Sequence, residues 1–159
     1  MRSETFAAIA LALAFLPSAR AQTDDAMLKA AYIYNIAQFT TWPAAAATRP
    51  LIICVDSGHA LWQSVRQLQG KLVGDRKVAV VEPAAGTPCD VAVLRAGARR
   101  PAADGGTLAI VDEPGSGYAG AVALVEEDQH LRFDIDTAEA ARAGLRFSSR
   151  LLRLARNVR

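Results

Sequence analysis

Leu51-Ile52-Ile53-Cys54-Val55 is an unbroken apolar run, the pattern of a strand buried on both faces of a parallel sheet. Downstream, Asp56 or Ser57 can cap a helix that runs to about Leu68, with Gly70 as its stop. Residues 77–81, 90–94 and 108–111 repeat the short apolar pattern of a strand. Residues 121–125 and 131–135 read as a hairpin around the acidic turn Glu126-Glu127-Asp128. Asp136, three residues before Glu139, opens a helix with capping-box spacing, which Gly144 ends. Ser148 or Ser149 caps a last helix, with Leu151, Leu152, Leu154, Ala155 and Val158 facing inward. Upstream, Asp24-Asp25 precede AMLKAAYIYNIAQFTTW at 26–42, where Leu28, Ala31, Tyr32, Ile36 and Phe39 recur at helical spacing. That helix stops by Trp42, because the residue before Pro43 is pushed out of the helical region. The alternation predicts an α/β fold: a single-domain three-layer sandwich, with a mixed, mostly parallel sheet and helices on both faces.

The first 21 residues, MRSETFAAIALALAFLPSARA, stand apart from this pattern. Arg2 gives a positive start, 6–16 is uncharged and apolar, Pro17 breaks the run, and Ala19-Arg20-Ala21 supplies small residues at a cleavage site. This is the layout of a secretory signal peptide. An apolar run of about a dozen residues is too short for a bilayer-spanning helix, which takes roughly twenty. The expected organisation is therefore a signal peptide at 1–21 and one domain at 22–159, working outside the cytoplasm. ATP, NAD and a cytosolic thiol buffer are not at hand there, which removes many enzyme classes.

The formal net charge of the whole chain is +2, far from the basic balance of a nucleic-acid binder. Cys54 and Cys89 are the two cysteines, and in an oxidising compartment an even count reads first as a disulfide. Closing that loop of about 36 residues stabilises the fold by roughly 3–4 kcal/mol on the chain-entropy model. No zinc-type ligand spacing accompanies them, so no metal is expected. His59 and His130 stand far apart and read as surface or edge residues.

Gly115-Ser116-Gly117-Tyr118-Ala119-Gly120 is a literal GxGxxG, but the strand pattern at 121–125 comes directly after it. Without a helix N-terminus there is no row of free amides for a pyrophosphate, so the segment reads as a flexible turn and no cofactor is expected. Asp134 and Asp136 alternate on one strand and share a face, a pairing open to acid–base work or cation binding, although Asp136 also serves as a cap. No GxSxG elbow is present, and no catalytic residue is assigned. Arg150, Arg153, Arg156 and Arg159 form a slanting basic stripe on the last helix, either a solvated face or a contact for an acidic partner or anionic headgroups.

Taken in order, these segments resemble the YfiR family. The opening helix 29–37, with Phe39 and Trp42-Pro43, looks like that family's first signature. The Cys54 strand, Gly70-Lys71-Leu72-Val73-Gly74-Asp75-Arg76 and the strand at 89–94 come in the family's order. The ending is the most specific: Leu131-Arg132-Phe133-Asp134-Ile135-Asp136, then 140–145, then 148–155. The resemblance implies a periplasmic, non-enzymatic inhibitor of an inner-membrane diguanylate cyclase, docking on the cyclase's periplasmic part and lowering cyclic-di-GMP signalling. It also implies sequestration by an outer-membrane lipoprotein, a homodimer, and a disulfide tying function to redox state, which the Cys54–Cys89 pair matches. Arg132, Tyr118, Asp134, Arg150 and Arg153 are the residues assigned to a ligand or partner surface. A small-ligand sensor or carrier is the alternative. Two segments depart from the family: 95–107, with Pro101 and Gly105-Gly106, leaves little room for the usual helix, and the aromatic-Ala-x-x-Gly-Gly stretch is compressed at Tyr118-Ala119-Gly120-Ala121.

Overall fold

The computed structural model describes residues 18–46, 48–99, 106–115 and 117–159. The elements run α1 (Ser18–Gln38), β1 (Thr40–Thr41), a 3-10 turn (Ala44–Ala46), β2 (Leu51–Val55), α2 (Trp62–Arg66), β3 (Leu72–Val73) and β4 (Arg76–Val81). They continue as β5 (Val91–Arg95), β6 (Leu108–Asp112), β7 (Val122–Glu127), β8 (His130–Ile135), α3 (Thr137–Arg142), β9 (Arg146–Phe147), α4 (Ser149–Leu154) and β10 (Asn157–Val158). Most of the stretch expected to be a signal peptide, residues 1–17, lies outside the described residues, as do 100–105 in the shortened segment and Ser116 in the glycine-rich turn.

The strand predicted at 51–55 forms with those bounds and lies at the heart of an eight-stranded sheet, order β10-β8-β7-β6-β5-β2-β4-β3. β4, β2, β5, β6 and β7 run parallel; Ile53 aligns with Val80 on one side and Val91 on the other. β8 is antiparallel to β7 and β3 to β4, while β10 adds to β8 in parallel. The sheet is thus mixed and mostly parallel, as expected. The hairpin is longer than predicted: Glu126 and Glu127 belong to β7, and Asp128 and Gln129 make the turn, both with positive φ. That two-residue geometry matches the twist of the flanking strands.

One cluster holds the core. Leu51, Ile53, Val55, Val91, Val93, Leu108, Ile110, Val122, Leu124, Phe133 and Ile135 pack with Ile33 and Ile36 of α1, Val65 of α2, Ala140 of α3 and Leu151 of α4. Each fully buried Ile or Leu contributes roughly 1.5–3 kcal/mol. The alternate side chains, Cys54, Ala92, Ala109 and Ala123, are small and also buried. Residues of all four described α-helices belong to the first cluster, and the chain at Gly120 crosses the second side. Gly120 lies so close there that a Cβ would stand 3.0 Å from the Ala109 carbonyl and from Val111. The Cys54–Cys89 disulfide is formed, with Cα atoms 5.7 Å apart, and ties β2 to the chain entering β5.

Three expectations are corrected. α1 buries Lys29, Ala30, Ile33, Ile36 and Ala37, so Leu28 and Ala31 face outward; the buried stripe includes a lysine, which a hydrophobic pattern leaves out. The helix predicted from Asp56 to Leu68 shrinks to Trp62–Arg66, because Asp56 to Leu61 fold into a hydrogen-bonded turn. The last helix ends at Leu154, so Leu154 and Val158 are 64% and 47% exposed instead of facing inward.

Candidate functional site

The end of the last helix decides where the predicted surface residues go. α4 is capped by Ser148, whose Oγ accepts from the Leu151 amide at 3.2 Å. Ala155 is already extended, and β10 carries Arg156 and Arg159 back along β8. The four-arginine helical stripe therefore does not form. Arg156 donates Nε and Nη2 to Asp134 at 2.8 and 2.6 Å, and Nη1 to Glu127 at 3.1 Å. Arg159 donates Nε to Asp136 Oδ2 at 2.9 Å, while Asp136 Oδ1 caps α3 through the Glu139 amide at 3.0 Å. Both aspartates are thus engaged, and the paired-carboxylate chemistry has no free oxygen pair to work with. The hydrogen bonds from Arg156 hold the Asp134 carboxyl below its usual range.

Tyr118 is brought to the same edge. Its ring stacks under the Arg159 guanidinium, 4.9 Å from the centroid, and its hydroxyl is buried without a hydrogen-bond partner among the described residues. Burial pushes its phenol up, with Arg159 opposing. Arg132 stays exposed on the sheet face that carries Asp134. Arg150 and Arg153 lie apart from this cluster, on the outer side of α4 beside Leu154. Arg150 sits over the Phe39 ring at 5.7 Å, and neither pairs with a carboxylate among the described residues. The structure thus joins Tyr118 and Asp134 at one edge and separates them from Arg150 and Arg153.

A second polar site lies at the carboxyl ends of the parallel strands. β2 continues through α2 to β4 on one side, whereas β5 lies on its other side, so the chain diverges there. Open α/β sheets place their crevice at such a switch point. The crevice here, about 620 Å³, lies beside that point, between α1, the start of α2 and the end of β6, and is lined by Gln22, Asp25, Lys29, Gln63, Ser64, Asp112 and Glu113, among others. Lys29 is buried in its wall, 3.2 Å from Asp25, 3.1 Å from Asp112 and hydrogen-bonded to Glu113. Burial opposes the lysine's charge, but Glu113, Asp112 and Asp25 overcome it and raise its pKa. Burial raises Asp112, with Lys29 pulling the other way.

His59, expected at the surface, is only 6% exposed. Its Nδ1 accepts from the Leu61 amide at 3.1 Å, which places the proton on Nε2. Nε2 is buried with no hydrogen-bond partner among the described residues. Burial lowers the histidine's pKa, so the ring is held neutral. His130 is exposed on the hairpin, as expected. Sequence reasoning missed Lys29, His59 and Asp112. The one signal for Lys29 was its position four residues before Ile33, on the stripe that is buried.

Among the described residues, no group of three or more His, Cys, Asp or Glu is placed to hold a metal ion, and no helix is long and apolar enough to cross a membrane. The amino ends of β2 and β5 are closed by Asp90, which is 1% exposed. It accepts from Arg49 at 2.7 and 2.9 Å, Arg76 at 2.7 Å and the Ile52 amide at 2.8 Å.

A family model described as YfiR/HmsC-like matches residues 26–156, from partway along α1 to the arginine that binds Asp134. The chain belongs to the YfiR/HmsC-like family. The match includes both cysteines, the parallel sheet and the hairpin–α3–α4 ending, and so bears out the resemblance read from the sequence. Members of the YfiR-like family are periplasmic regulators of diguanylate cyclase signalling rather than enzymes. No curated protein matches the chain.

Proposed function

We propose that this YfiR-like protein is a non-enzymatic periplasmic repressor that docks on the periplasmic part of an inner-membrane diguanylate cyclase and lowers cyclic-di-GMP. The family match over 26–156 carries the reading. Inhibition is stoichiometric: the module sits across the membrane from the nucleotide chemistry and acts only by touching a protein that spans. The outer side of α4 suits an acidic partner, with Arg150, Arg153 and the 64%-exposed Leu154 together; Arg132 and Tyr118 mark a separate edge. An outer-membrane lipoprotein that takes up the module relieves repression, and a homodimer is its working form. Residues 1–21 act as the leader that delivers it.

The test is cyclic-di-GMP measured in the native host with and without the full chain, alongside crosslinking to membrane proteins. Repression with a captured cyclase is expected, and Arg153→Glu combined with Leu154→Asp weakens it at unchanged melting temperature. Equal cyclic-di-GMP with and without the chain overturns the reading. The crevice between α1, α2 and the end of β6 favours a second reading, a small polar ligand sensed by the same module. It requires ligand-dependent melting that Lys29→Met abolishes.

A further inference from the structure

We propose that export leaves Gln22 as the first residue and that this glutamine closes to a pyroglutamate. The proposal rests on the reading that 1–21 is a cleaved leader, with the cut after Ala19-Arg20-Ala21. A glutamine at a chain start carries nucleophile and electrophile in one residue. Its α-amine attacks the side-chain carbon Cδ, and a new C–N bond forms. The bond from Cδ to the amide nitrogen breaks, and that nitrogen leaves as ammonia, taking a proton from the attacking amine. A five-membered lactam remains. No oxidant, reductant or second substrate enters.

The structure decides whether the residue is free to close. Residues 21–25 are exposed, and the first buried residues of α1 are Lys29 and Ala30. Lys29 fixes the helix to Asp112 and Glu113 well downstream of Gln22, so a ring at position 22 leaves that anchor in place. Two electrostatic effects compete at the crevice rim. α1 begins at Ser18, so the cut leaves Gln22 as its new first residue; Asp25 and Glu113 of the crevice lining favour a protonated amine, which is not a nucleophile, whereas the positive end of the shortened helix disfavours that charge. Because ammonia is lost to bulk solvent, the closure does not reverse, and the carboxylates set its rate alone. The product has no α-amine to titrate near pH 7.7–8.0. Lys29 stays the cation of the crevice lining, and an aminopeptidase finds no free terminus.

The full chain, expressed with its leader and recovered from the periplasm, is examined by intact mass and N-terminal sequencing. The expected mass is that of residues 22–159 less one ammonia, with sequencing blocked until pyroglutamyl aminopeptidase exposes Thr23. The Gln22→Ala chain is cut at the same bond and sequences openly. A mass of 22–159 without the ammonia loss, with open sequencing of the unaltered chain, overturns the pyroglutamate and leaves the cleavage standing. A mass that retains residues 1–21 overturns the cleavage and the proposal with it.

Discussion

Lys29 is a single ammonium serving three carboxylates, and the three are not equivalent. Asp25 and Glu113 have side chains 47% and 64% exposed, whereas that of Asp112 is 11% exposed. Removing the lysine leaves Asp112 as a buried charge without its partner, so Lys29→Met should destabilise the fold by roughly 3 kcal/mol. Urea unfolding measures this, and adding Asp112→Asn should recover much of the loss. Recovery on adding Asp25→Asn alone would locate the burden elsewhere. His59 governs a different pH range. Its folded pKa lies below the ordinary value of 6.5, so the unfolded chain binds the extra proton first. Its contribution is complete above pH 6.5 and is lost as pH falls toward the folded value. Asp112 works in the opposite sense at lower pH: its folded pKa is raised, so folding takes up a proton and stability gains as pH falls toward 3.8. Urea midpoints taken from pH 7.5 to 5 should therefore decline in the unaltered chain, and His59→Gln should flatten that slope.

The short helices depend on their caps. α3 spans six residues, too few to stand by its own hydrogen bonds, and Asp136 both caps it and holds Arg159. Asp136→Ala should cost about 1 kcal/mol for the lost cap. The same change frees Arg159 from its 2.9 Å bond, so β10 should lose amide protection in hydrogen exchange before β8 does. Asp136→Asn keeps the cap oxygen and should separate the two effects. The cap was legible in sequence because Asp, then Glu three residues later, is a local code. So was β2, whose apolar run needs no partner to be recognised. The path of the chain beyond α4 was not legible. Leu154 and Val158 continue a helical spacing, and only the pairing of Asn157 with Asp134 and of Val158 with Ile135 draws the chain into a strand. The two-residue strands β1, β3 and β9 are equally invisible, since each exists only through pairing with another strand. The phase of α1 was misread for a chemical reason. Lys29 occupies a buried position that is tenable only because Asp112 and Glu113, more than eighty residues away, neutralise it.

At the scale of the molecule, the disulfide joins the two strands that flank the switch point. Cys54 lies in β2 opposite Ala92 of β5, and Cys89 leads into β5, so the bridge ties two adjacent interior strands of the sheet. It closes a sequence separation of 35, and its loss should cost about 4 kcal/mol on the chain-entropy model. Domains of this size are stable by only about 5–15 kcal/mol, so the reduced fold is left near its margin. The surrounding packing argues that the fold survives: Leu51, Ile53, Val55, Val91 and Val93 are buried by neighbours other than the two sulfurs, in one cluster that includes neither cysteine. Cys54→Ser, and the unaltered chain with reductant, should therefore unfold in urea with a lower midpoint and the same cooperative transition. If docking on the cyclase requires the intact sheet, repression of cyclic-di-GMP synthesis should fall with the folded fraction and return on cooling or with added osmolyte. Coincident unfolding curves with and without reductant would show that the bridge constrains nothing the packed strands do not already fix. Repression lost at full folded fraction would mean instead that the bridge shapes the docking surface directly.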